Sequence, residues 1–167
     1  MLQPLCRRSW AARGSPPQLA AWDRHDRLTA IAALVLPPGD REPKLFFRLQ
    51  RHNAHCEDFL HFLLGLRHEL ATPMSIVWDR LSAHRRCERI FRECGCPWAR
   101  FDYLPAYSPE LNPVEHLWST AKWGSLANWP AADLASLSTR LTSELRRQRR
   151  KKKMLRGHFH WAGIKAA

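Results

Sequence analysis

Apolar and polar positions change period several times along this chain. Residues 28–36 (LTAIAALVL) are apolar on both alternating faces, the pattern of a strand covered on both sides. The turn formers Pro37, Pro38, Gly39 and Asp40 follow. Residues 44–50 (KLFFRLQ) then set Leu45, Phe47 and Leu49 on one face, with Lys44, Arg48 and Gln50 on the other, which predicts an antiparallel hairpin whose second strand is an edge. From about Ala54 to Leu70 the period becomes helical. Phe59, Phe62, Leu63, Leu66 and Leu70 form one stripe, Asn53 can cap the start, and Glu57 and Asp58 suit its positive end. Thr72 and Pro73 stop that helix. Ser75 to Asp79 reads as a buried strand, a helix from about Ala83 carries Cys87, Ile90, Phe91 and Cys94, and Gly95 and Pro97 end it before a strand from Phe101 to Leu104. A last helix beyond Pro130 carries Leu134, Leu137, Leu141 and Leu145. Strand, helix, strand, helix after a hairpin implies right-handed parallel crossovers, and hence an α/β fold with a mixed sheet between helices.

Composition narrows the class. A chain of 167 residues, 45% hydrophobic, can bury one domain's core. That domain is expected over 1–145, followed by a basic C-terminal tail over 146–167. The 27 Lys and Arg against 15 Asp and Glu give a net charge of +12, which predicts attraction to a polyanion, most simply nucleic acid. Seven of the eight residues from Arg146 to Lys153 are basic. Such a run is usually a solvated face, but beside a nucleic-acid motif Arg146, Arg147, Arg149, Arg150, Lys151, Lys152 and Lys153 become candidate phosphate contacts. No apolar run approaches the roughly 20 residues of a membrane helix and no signal peptide is legible, so a cytoplasmic, nucleoid-associated protein is expected. The five cysteines lack paired spacing and read as reduced thiols, and the nine histidines show no ligand spacing.

The most specific stretch is YLPAYSPELNPVEHLW, residues 103–118. Pro105, Pro109 and Pro113 restrict the connection, Asn112 reads as a helix N-cap with Pro113 at the first helical position, and Glu115 falls in the first turn. Glu115 can be a capping-box partner of Asn112 or a functional carboxylate. A second carboxylate, Asp79, ends the apolar run 75–78. The string LPAYSPELNPVEHLWSTAK resembles the last catalytic block of DDE transposases of the bacterial insertion-sequence and Tc/mariner superfamily. The resemblance implies that Glu115 and Asp79 are catalytic metal ligands, Asp79 being the strand-end aspartate with His84 in the loop that follows. Their separation of 36 positions is similar to the family's.

It implies further an RNase H-like fold acting in DNA cleavage and strand transfer, with double-stranded DNA (transposon ends and target) as partner and homo-oligomer formation as a second association. The family's first, central strand ends in an aspartate shortly before a block resembling residues 2–14, so that strand and its aspartate are expected upstream of Met1 and missing from this sheet. Asp23 and Asp26 precede the Leu28 strand and are not substitutes, and Arg80 departs from the asparagine usual beside the second aspartate. Such chemistry uses two Mg²⁺ (or Mn²⁺) ions about 4 Å apart, held by three carboxylates. Asp79 and Glu115 alone would hold one ion weakly. The expectation is therefore a DDE transposase fragment, catalytically incomplete alone. The alternative is a non-catalytic, basic DNA-binding remnant. An unrelated RNase H-like nuclease does not account for the string.

Overall fold

The computed structural model describes residues 6–16, 18–19, 27–39 and 41–164. Asp23, Asp26 and residues 2–5 of the N-terminal block lie outside that set, as does Asp40 of the first turn. Strands β1 (Thr29–Val35) and β2 (Lys44–Gln50) form the expected antiparallel hairpin, with Ala32 opposite Phe47 at mid-register. Helix α1 (Cys56–Leu70) leads to β3 (Met74–Trp78), helix α2 (Ser82–Glu93) to β4 (Ala99–Tyr103), and β3 and β4 pair in parallel. A short 3₁₀ turn (Pro109–Leu111) introduces α3 (Pro113–Trp123), followed by α4 (Leu134–Arg150) and α5 (Lys152–Trp161).

Local chemistry explains the boundaries. Helix α1 starts later than Asn53 because Asp58 accepts a hydrogen bond from the His55 backbone N–H at 2.9 Å, closing a capping box on His55. It stops where Ala71 turns left-handed at φ 53° and donates its N–H to the Arg67 carbonyl. Helix α2 ends at Gly95, whose φ of 59° suits a residue without Cβ. Asp133 and Ser136 cap α4 reciprocally.

The four strands make two separate two-stranded sheets, and among the described residues no ladder joins β1–β2 to β3–β4. Most core contacts therefore lie within one half or the other. Leu45 from β2, Leu117 and Ala121 from α3, Leu141 and Leu145 from α4 and Leu155 from α5 form one buried cluster. Burying each leucine there is worth about 1.5–3 kcal/mol. The second cluster joins Cys56, Leu63 and Leu66 of α1, Trp78 of β3, and Cys87 and Phe91 of α2. Ala33 and Phe46 of the hairpin pack against this second cluster, so apolar contact rather than a backbone ladder links the halves.

Two expectations are corrected. The strand before Asp79 is covered on one face only: Met74, Ile76 and Trp78 point inward, while Ser75 is exposed and Val77 is 55% exposed. Residues 146–161 are no tail either. Arg146 to Arg150 complete α4, and α5 buries Leu155, His158 and Phe159. A run so rich in charge hides this, because among the described residues beyond Leu145 only Gln148, Leu155, His158, Phe159 and Ala162 carry the inward face.

Candidate active site and basic face

Asp79 follows directly on β3, and its carboxylate is well exposed. One oxygen accepts the Leu81 backbone N–H at 3.0 Å and faces His84 Nδ1 at 2.7 Å. His84 itself is held. Its ring stacks on Trp78 at 4.4 Å, nearly parallel, and takes Phe59 edge-on at 4.5 Å. Three elements thus fix one imidazole, which in turn orients one carboxylate. The motif pointed to His84, but the Phe59 and Trp78 clamp was not legible. The period of α1 marked Phe59 only as a core position.

The second carboxylate is placed as the proline pattern predicts. Asn112 Oδ1 accepts the Val114 N–H at 3.1 Å and Pro113 occupies the first helical position. Glu115 does not reach back to close a capping box. Its backbone N–H bonds the Asn112 carbonyl at 3.0 Å, while its carboxylate is exposed and has no hydrogen-bond or ion-pair partner among the described residues. The purely structural account of Glu115 therefore loses its contact. Val114, Leu117, Trp118 and Ala121 supply the core side of α3. No hydrogen bond links Asp79 with Glu115 among the described residues, and no group of three or more His, Cys, Asp or Glu there could hold a metal ion.

The basic run divides. Arg147 forks onto Glu144 at 2.7 and 2.9 Å, and Lys152 Nζ donates to the Pro43 carbonyl at 3.0 Å. Burial alone would raise the Glu144 pKa, but hydrogen bonds from Arg147 and Gln148 hold it below the usual carboxylate value. Arg146, Arg149, Arg150, Lys151 and Lys153 are exposed. Arg149 lies 5.8 Å over the Phe46 ring.

The model of the DDE superfamily endonuclease family matches residues 2–138, a span that contains both Asp79 and Glu115. No curated protein matches the chain. Among solved structures, the Mos1 strand transfer complex is similar over 96% of this chain and 46% of its own, at 15% identity and a TM-score of 0.54. The Mos1 transposase paired-end complex with left transposon end covers 98% of this chain and 52% of its own, at 14% identity and a TM-score of 0.49. The chain thus spans about half the length of the solved chains it matches. At 15% identity the likeness to the strand transfer complex is one of fold, the RNase H-like α/β architecture. With four strands and five α-helices among the described residues in that arrangement, and the family model matched over residues 2–138 of 167, the chain belongs to the DDE superfamily endonucleases.

Proposed function

We propose that this chain contributes to DNA cleavage and strand transfer as part of a DDE transposase catalytic domain, with Asp79 and Glu115 as its metal-binding carboxylates. The unpartnered carboxylate of Glu115, on a helix start that three prolines restrict, carries this reading. A glutamate with no structural contact in such a constrained position suits an incoming cation. Asp79, oriented by His84, supplies a second hard oxygen donor of the kind Mg²⁺ and Mn²⁺ take. When bound, the cation would supply activation of the attacking oxygen and stabilisation of the leaving one. The chain's own part is to present the two carboxylates and, through His84, to keep that of Asp79 from rotating.

Asp79 and Glu115 alone fall short of what a pair of ions requires, and among the described residues β1–β2 and β3–β4 share no ladder and no third candidate ligand completes a metal group. Both support a chain that is catalytically incomplete alone, a fragment that awaits a further carboxylate. Double-stranded DNA is the proposed partner, in the cytoplasm on the nucleoid. Manganese titration followed by electron paramagnetic resonance tests the site: one weakly bound Mn²⁺ per chain is expected, lost in Asp79→Asn and in Glu115→Gln. Binding that both variants retain would remove these residues from the metal site.

A further inference from the structure

We infer that the outward face of α4 is a docking surface for the phosphate backbone of duplex nucleic acid. The inference rests on the DNA reading above and gives it a place on the molecule. A shallow, open surface patch of about 400 Å³ along α4 is lined by Ser138, Thr139, Thr142, Ser143, Arg146 and Arg150. At 100° per residue these positions form one continuous stripe opposite Leu141, Leu145 and Gln148, the residues that α4 buries. The stripe carries hydroxyl and guanidinium donors and no carboxylate. The one acidic residue of α4, Glu144, is turned inward and held by Arg147. Arg146 and Arg150 have no hydrogen-bond or ion-pair partner among the described residues, so their donors are available.

The chemistry of the lining selects the partner. Arginine with serine and threonine hydroxyls is the donor set that proteins direct at phosphate oxygens. The lining has no aromatic side chain on which an unpaired base could stack, which disfavours a single strand. It also has no large apolar side chain to enter a lipid surface. From Ser138 to Arg150 the helix rises about 18 Å. Laid along a duplex, that length runs past about five phosphates of one strand at 3.4 Å each. Arg149 and Lys153, exposed at the same end, extend the positive field.

The test uses the full chain and a duplex of arbitrary sequence, with affinity followed by fluorescence anisotropy across a salt series. Arg146→Gln with Arg150→Gln should lower the slope of log K against log salt by about 1.8, since each phosphate contact contributes about 0.9. A control with the same loss of charge, Arg51→Gln with Arg89→Gln on exposed positions elsewhere, should leave the slope within a few tenths. Thr142→Val with Ser143→Ala should weaken binding a few-fold with the slope unchanged, because neutral donors release no counterions. An unchanged slope in the α4 pair, or an equal drop in the control pair, would overturn the α4 assignment while leaving DNA binding by the chain intact. No duplex binding by the unaltered chain at low salt would overturn the DNA reading as well. Tighter binding to phosphatidylcholine vesicles containing one-third phosphatidylserine than to duplex would also sink the assignment.

Discussion

The two halves of the molecule are built on different principles. The β3–β4 half has an aromatic core in which Phe91 meets Trp98 and Phe101 at 5.1 and 5.5 Å and Trp78 stacks on Phe101 at 5.1 Å. It comes from one unbroken stretch, α1 through β4. The β1–β2 half has an aliphatic core, and its helices α3, α4 and α5 begin more than sixty residues after the hairpin ends. Its polar groups are correspondingly deep: Gln148 is fully buried and His158 is 6% exposed. The contrast separates two ways of making a core. Local crossovers bury large side chains with little loop closure, whereas distant segments must close a long loop before any leucine is covered. Each proposed metal ligand belongs to a different half, Asp79 after β3 and Glu115 on α3.

The largest expected effects test whether the halves melt together. Phe91→Ala should cost about 3–5 kcal/mol and Leu145→Ala about 2–5 kcal/mol, as measured by chemical denaturation. If the apolar bridge through Ala33 and Phe46 couples the halves, both variants move one common transition by fluorescence and circular dichroism. Two transitions, each moved by only one variant, would mean that the halves unfold independently.

Opposite pH dependence should separate them next. Burial, and after it the charge of nearby His116, pushes the His158 pKa below its ordinary 6.5. The unfolded chain then takes up the proton first, so this stability is intact above about 6.5 and is lost as the pH falls below it. Glu144, held low despite burial, adds to the acid loss at lower pH. In the other half burial pushes Cys87, beside Cys56, from 9.0 to about 12, and Tyr103, hydrogen-bonded to Glu88, from 10.0 to about 12. Those contributions are fully present below 9.0 and 10.0 and are lost as the pH rises through about 12. Asp58 of α1, lowered by the His55 backbone N–H, responds only below its ordinary 3.8. Melting temperatures across pH should fall first for the β1–β2 half in mild acid, and His158→Phe should flatten that limb. A pH profile unchanged in this variant would remove His158 as its cause. The smallest effect is expected at Val77, where Val77→Thr should change stability by less than about 0.5 kcal/mol because the side chain faces solvent. A larger loss in a melt would show that this face of β3 is covered in solution.

Much of the framework was legible from short-range pattern. The antiparallel hairpin, the Asn112 cap with Pro113 behind it, the core stripe of α3 and the stop at Gly95 each depend on residues within a few positions of one another. The candidate carboxylates were legible for another reason, since a proline-spaced string fixes Glu115 at a helix start whatever surrounds it. The His84 clamp was not, because Phe59, Trp78 and His84 come from three elements and each alone reads as core or loop. Helix α5 was hidden too: its apolar positions are few, and its place depends on Leu155 meeting leucines of α3 and α4.

The sequence by itself determined the kind of each main element up to Leu145, the family and the candidate carboxylates Asp79 and Glu115, because periodicity, proline geometry and capping act over one or two helical turns. The tertiary structure decided which charges are available. From one run of seven basic residues it turned Arg147 onto Glu144 and tied Lys152 to the Pro43 carbonyl, while Arg146 and Arg150 were left on an open polar face of α4. A charge has no period of its own, so whether it lies within a core's rim or faces solvent depends on what packs against the opposite side of its helix. In α4 that side is set by Leu141, Leu145 and Gln148 meeting a hairpin about a hundred residues earlier in the chain.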